Sequence, residues 1–250
     1  MKRQKLLRTG NNAIILSLII SLAIIFSTSI ISKTLLNLKK YPNEVIEVTG
    51  YAQKFIISDH AKWECKFSVV DSTLNAAYEL IEEQYKAVST YLLMNKIENK
   101  QITKHPLYVN TIYEKDAKGK NTNKIAGYSI TQRLTIESDN VNRIKKISEK
   151  STELIGADIN FVSMEPEFYC SNLDGIKIAV LAEASMNAKE RAESMLKTTR
   201  NKVGPIRSSR MGVFQITTPD STNVSDYGIN DTSTIKKKIT AVVTISYSIR

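Results

Sequence analysis

The sequence predicts an α+β fold, with antiparallel or mixed sheets packed with helices, preceded by one N-terminal transmembrane helix. Three observations lead there: segments that alternate apolar and polar residues, segments with an apolar stripe at helical spacing, and one twenty-residue run without a charge. Trp63, Cys65, Phe67 and Val69 oppose Lys62, Glu64, Lys66 and Ser68. Tyr128, Ile130, Leu134 and Ile136 oppose Ser129, Thr131, Arg133 and Thr135, with Gln132 as one polar intruder. Ile239, Ala241, Val243, Ile245, Tyr247 and Ile249 alternate with Thr240, Thr244, Ser246 and Ser248. Each reads as a strand with one wet face, the pattern of an antiparallel sheet. Weaker strands are expected near 45–55, 103–113, 159–169 and 206–216.

Leu74, Ala77, Tyr78, Ile81, Tyr85, Val88 and Leu92 make a helical stripe, with Asp71 or Ser72 as N-cap. Val141, Ile144, Ile147, Leu154 and Ile155 predict a shorter helix after Asp139 that ends before Gly156. A third helix is expected from about Asp174 to Val203, stopped by Gly204-Pro205, with Ile176, Val180, Ala184, Ala188, Ala192 and Met195 as its buried stripe.

Residues 1–40 are expected to be a cytoplasmic stub and membrane anchor, and residues 41–250 an exported domain. Ala13 to Ser32 carries no charge and, at ~1.5 Å per residue, would span ~30 Å, the thickness of a bilayer's hydrocarbon core. Lys2, Arg3, Lys5 and Arg8 precede the run and Lys33, Lys39 and Lys40 follow it, which favours an inside N-terminus only mildly. A cleaved signal is the alternative, since Ala13–Phe26 has the length of an h-region and Ser27-Thr28-Ser29 offers small residues for cleavage. Ile30 and Ile31 prolong the apolar run past that point and favour an uncleaved anchor. Either way the body lies outside the cytoplasm.

The formal charge of +10 sits mostly in this leader. The first forty residues hold seven cations and no acid, whereas the remaining 210 hold 28 basic and 25 acidic side chains. Such a balanced body is a poor polyanion binder, so a nucleic-acid partner is not expected.

Candidate chemistry is sparse. Asp59-His60 falls between two β-like runs, where Ser58 and Asp59 are natural turn formers. Adjacent residues of an extended chain point in opposite directions, so the pair does not read as one base with its orienting acid. A partner for His60 would have to come from elsewhere, such as Glu64 or His105. Cys65 and Cys170 share parity with apolar neighbours and read as core thiols, with a disulfide between them left open by the exported setting. No CxxC, HExxH, GxSxG, GxGxxG or phosphate-loop pattern occurs, so no metal, cofactor or catalytic residue is assigned. Residues 218–234 lack either period and read as a disordered loop or an interaction element. Asn223 and Asn230 head glycosylation-type triplets that matter only in a host that glycosylates.

VIEVTGYA (45–52), SDHAKWECKFSV (58–69), GYSITQRLTIES (127–138), VGPIRSSRMGVFQIT (203–217) and ITAVVTISYSI (239–249), in this order and spacing, resemble the SIMPL-domain family of exported bacterial proteins. Ser58 departs from that pattern, which usually has Pro before the Asp. The resemblance implies an α+β envelope protein, periplasmic or membrane-anchored, with a tendency to self-associate and a link to envelope or oxidative stress. It brings no established active site. The expectation is thus a non-enzymatic, membrane-anchored envelope protein that forms a homo-oligomer or binds a partner. The alternatives are a hydrolase or redox enzyme drawing on distant residues such as His60, His105 and Cys65, or a small-molecule-binding module.

Overall fold

A computed structural model describes the backbone of residues 2–40 and 44–250 and the side chains of 16–36 and 44–250. The expected α+β order holds. Helix α1 (Lys2–Lys40) leads into β1 (Val45–Ile57), β2 (His60–Asp71), α2 (Leu74–Met94), β3 (Ile102–Lys104), β4 (Tyr108–Lys115) and β5 (Asn121–Ser138). Then follow α3 (Val141–Lys150), β6 (Phe161–Ser163), β7 (Glu167–Tyr169), α4 (Leu173–Lys197), β8 (Val203–Met211), β9 (Gln215–Thr217), β10 (Ile229–Asn230) and β11 (Lys236–Ile249). One sheet is ordered β3–β5–β2–β6, with β4 also on β5 and β7 also on β2; the other is ordered β1–β11–β9–β10, with β8 also on β11. The parallel pairing of β10 with β9 makes the second sheet mixed.

The chain forms two compact units. The larger comprises Tyr51–Asn187 and Met211–Val243, and the smaller Met1–Gly50, Ala188–Arg210 and Thr244–Arg250. In the larger unit β2 and β5 run antiparallel, bringing Trp63 opposite Ile136, Cys65 opposite Leu134, Phe67 opposite Gln132 and Val69 opposite Ile130. All of these side chains are buried, and α2 covers them with Ala77, Ile81, Val88 and Leu92. Trp63 tilts against Phe161 at a centroid distance of 6.4 Å, and its indole N–H donates to Ser163 Oγ at 3.0 Å. That bond satisfies the ring's one polar atom as its apolar body is buried.

Gln132 explains itself. The expected strand 103–113 breaks into β3 and β4 around Pro106, which has no N–H to give a ladder. Gln132 Nε2 reaches into the break and donates to the carbonyls of His105 (2.6 Å) and Arg133 (2.9 Å). The amide nitrogen of this fully buried residue thus bonds two carbonyls at the break, of which that of Arg133 also accepts from His105 N, while Gln132 Oε1 has no partner among the described residues. The expected strand 159–169 splits likewise into β6 and β7 on either side of Glu165-Pro166, and 206–216 into β8 and β9 beyond Gly212.

Several helix boundaries differ from expectation. Thr73, not Asp71 or Ser72, caps α2 by accepting from Ala76 N, while Asp71 Oδ1 accepts from Thr73 N. The helix after Asp139 tightens into a 3₁₀ turn over Ser151–Ala157, which buries Leu154 but turns Ile155 outward. Helix α4 ends at Lys197, six residues before Val203. There Asn201 N and Thr199 N both turn back to Leu196 O, and Arg200 takes φ +61°. Gly204 and Pro205 instead begin β8, where a Cβ on Gly204 would strike Ser248. Along α4 the buried positions Val180, Ala184, Ala188, Ala192 and Leu196 recur every four residues, so Leu196 replaces Met195 in the stripe.

In the smaller unit Ala188, Ala192 and Leu196 are buried, as are Val48, Ile245 and Tyr247. β1 and β11 are antiparallel here: Ile249 N donates to Glu44 O, Ser246 Oγ to Glu47 Oε2, and Thr49 Oγ1 meets Thr244 Oγ1. Arg191 Nη1 donates to Thr49 O at 2.9 Å. Within α1, Leu16–Leu36 has a mean hydropathy of 1.9 and none of it is buried, so among the described residues it is one helix long and apolar enough to cross a membrane. This window runs four residues past the expected end at Ser32. The side chains of Ala13, Ile14 and Ile15, and of the flanking cations other than Lys33, lie outside the described residues.

β5 passes close to the end of β2, and an added Cβ on Gly127 would lie 2.7 Å from the Asp71 carbonyl oxygen. Gly127→Ala is expected to lower the stability of the folded chain by about 1–3 kcal/mol, read from a urea midpoint. Ala substitution of exposed Met94 should leave that midpoint unmoved.

Candidate functional site

The β1–β2 corner gathers the polar residues that the sequence singles out, all within the larger unit. Ser58 N donates to Ile235 O (2.8 Å) and Asp59 N to Tyr169 O (2.9 Å), so the turn is held by its neighbours as well as by its own residue types. Asp59 accepts from the backbone N–H (2.8 Å) and hydroxyl (2.5 Å) of Ser171. These bonds hold its carboxyl below the usual range. His60, the first residue of β2, turns away and places Nδ1 2.9 Å from Asp139 Oδ1. The neighbours therefore diverge, as extended backbone requires, and each finds a separate partner.

Neither residue suggested for His60 reaches it. Glu64 pairs with Lys62 at 3.1 Å, and His105 Nε2 lies 2.8 Å from Thr135 Oγ1. The partner is Asp139, whose side chain is 91% exposed. An imidazole beside a carboxylate is the orienting half of a base, but with the Asp139 side chain so exposed the pair stands in solvent and not in a dry pocket. Among the described residues no group of three His, Cys, Asp or Glu side chains could hold a metal ion.

Both cysteines are free. Cys65 is fully buried, and burial pushes its thiol up to about 12. Cys170, half-buried instead of facing the core, is also raised, first by burial and then by the charge of Asp59.

The buried polar cluster of the corner lies in the segment expected to be disordered or an interaction element. Lys237 is 3% exposed; its Nζ donates to Asp231 O at 2.6 Å and sits 3.9 Å from Asp231 Oδ2. Burial pulls the ammonium down, while Asp231 and Cys170 push it the other way. Burial alone would raise Asp231, but bonds from Thr234 Oγ1 and from the N–H and hydroxyl of Ser233 hold it low. Phe168 N donates to Thr232 O, and Gln215 bonds both ways with Ser225. Residues 218–234 are thus ordered by side chains that bond to backbone, a device with no periodicity to betray it. One signal was present: Lys237 shares parity with buried Ile239, Ala241 and Val243, so the alternation itself placed it inside.

A groove of about 490 Å³ lies beside this cluster's loop, with Leu173, Met211, Phe214, Ile216 and Tyr227 among its walls and Lys177 as its charged residue. It is a shallow apolar surface with one cation and offers no acid–base pair.

A water-soluble thiol reagent at pH 8 should leave Cys65 untouched until the chain is unfolded, while Cys170 reacts slowly. Asp59→Asn should lower stability at neutral pH. A carboxylate held low contributes stability above its unfolded value of about 3.9 and loses it as pH falls through the lower folded value. The urea midpoints of parent and variant should therefore converge in acid. Asp231→Ala removes the carboxylate that faces a buried ammonium and should cost about 3 kcal/mol, whereas Lys237→Met should cost less.

The family model of SIMPL, described as a protein of unknown function (DUF541), matches residues 46–247, from the second residue of β1 nearly to the end of β11. No curated protein matches the chain. The match takes in both sheets, the β1–β2 corner and the Asp231–Lys237 cluster, and by that extent the chain belongs to the SIMPL family.

Proposed function

We propose that the protein is a non-enzymatic, membrane-anchored envelope protein whose residues 41–250 lie outside the cytoplasm and work by contact, first with a second copy of the chain. The observation that carries the anchor is Leu16–Leu36, an apolar helix with no buried residue, next to a body that does bury a hydrophobic core. In water such a helix would leave its whole apolar surface solvated, and a bilayer removes that cost.

Support for self-association comes from the β4–β5 arm. β2 pairs with β5 only as far as Asp71 and Tyr128. Beyond that point β4 and β5 continue as a two-stranded ribbon, through Ile112 opposite Gly127 and Tyr113 opposite Ile125 to Lys115 opposite Asn121. A ribbon of two strands is marginal in water without a further strand or surface. Tyr113 and Ile125 are 41% and 50% exposed on it, and Tyr108 and Val109 on the edge strand are also exposed. An unpaired edge with apolar residues is a template for another chain.

Fractionation with protease protection tests the anchor: the intact chain should pellet with membranes and its body should be cut only from the outer side. An intact chain soluble in the cytosol overturns it. For assembly, the full chain in detergent should give a mass above that of a monomer. The double substitution Tyr113→Ser and Ile125→Ser should shift it to a monomer with an unchanged melting temperature. A parent that is monomeric at high concentration overturns the self-association.

A further inference from the structure

Charge is not spread evenly between the two units. Past residue 43, the smaller unit carries eight basic and four acidic side chains, a balance of +4, whereas the larger carries 20 and 21, a balance of −1. Of its exposed cations, Lys197, Arg200, Lys202 and Arg250 cluster where α4 hands over to β8, while Arg207 and Arg210 lie further along β8 and, three residues apart, point to opposite faces of it. None of the six makes an ion pair among the described residues. Of the acids of the unit, Glu193 lies 3.8 Å from Lys189, and Glu47 accepts from Ser246. Favourable interaction with the C-terminal carbonyls of α4 accounts for Lys197. It does not account for Lys202, Arg207, Arg210 and Arg250.

The place of these cations matters as much as their number. Ile249 N donates to Glu44 O, and Lys202 and Arg250 bond to each other through both backbone groups, at 2.7 and 2.9 Å. Lys202 and Arg250 are thus next in line to Glu44, where the body begins. Seven residues lie between Leu36, the end of the apolar window, and Glu44, and the eight steps from one to the other can reach no further than about 28 Å. Between Lys197, Arg200, Asn201, Lys202, Val203 and Glu193 lies an open hollow of about 500 Å³, lined by three cations, one amide, one acid and one apolar side chain.

We propose that this basic face of the smaller unit rests on anionic phospholipid headgroups of the same bilayer that α1 enters. Hydrogen-bond donors and positive charge meet phosphodiester oxygens, and the tether keeps the face within reach of them. The guanidinium groups suit bidentate contact with phosphate. The contact weakens with salt, because at physiological ionic strength exposed charges are screened over about 8 Å. It rests on the anchor reading above, and the experiment separates the two.

The full chain is reconstituted, body outward, in vesicles of phosphatidylcholine alone or of an equimolar mixture with phosphatidylglycerol. Lysine acylation by a water-soluble reagent is then mapped. Labelling of Lys197 and Lys202 should fall severalfold in the anionic vesicles and recover at high salt, while Lys118 and Lys120 of the larger unit label equally in both. Arg200→Glu with Arg250→Glu, at exposed positions beside Lys197 and Lys202, should remove much of the protection at those two lysines. Labelling that ignores lipid composition overturns the headgroup contact, and so does an equal fall at Lys118 and Lys120. Equal protection by free inorganic phosphate in phosphatidylcholine vesicles also overturns it, pointing to a soluble anion instead. A chain that fails to float with vesicles of either kind overturns the anchor, and the contact with it.

Discussion

The antiparallel ladder between β2 and β5, from Ala61 opposite Ser138 to Asp71 opposite Tyr128, sets the register on which the larger unit depends. Side chains alternate faces with a period of two, so a slip of one residue would drive Lys62, Glu64 and Lys66 into the space of Trp63, Cys65 and Phe67. The ladder also fixes what lies at its ends. At one end β2 begins with His60, and the turn before it presents Asp59 to Ser171. At the other, β2 stops where β5 crosses close at Gly127, and the two-stranded arm continues alone. The corner and the arm are therefore consequences of one hydrogen-bonded register.

The parts of this fold that alternate or repeat at helical spacing were legible in the sequence because burial on one face leaves that signature. β2, β5, β11 and α2 are of this kind. The breaks were not legible to the same degree. The split of β3 from β4 turns on Pro106 and on one amide, Gln132, whose place opposite Phe67 is a matter of register and not of local pattern. The end of α4 was misread because Gly204-Pro205 has the composition of a helix stop but serves as a close approach to β11. The Asp231–Lys237 pair hid in a polar loop and a run of three lysines. Its partners are brought together by the fold, and only the parity of Lys237 hinted at burial.

The Asp59-His60 dipeptide shows how a suggestive composition dissolves in geometry. Extended backbone sends the two side chains to Ser171 and Asp139, so each is tied to a different element. The bonds to Asp59 hold the turn, and the one to His60 links the start of β2 to the residue between β5 and α3. Cys65, the other residue with chemical promise, sits inside the core with its thiol pushed far from thiolate formation. Asp59, His60 and Cys65 are thus each tied into the architecture.

The meeting of the body's two ends carries a practical consequence. Glu44 and Ile249 share a hydrogen bond, so whatever is fused after Arg250 emerges beside the start of β1. A purification handle or fluorescent reporter there would crowd the residues at which β1 begins. The Asp116–Lys120 turn is the better port for one. Its loop is closed by bonds among Asp116, Lys118, Gly119 and Lys120, so an insertion at that tip would spare the core, though it would sit at the end of the β4–β5 arm.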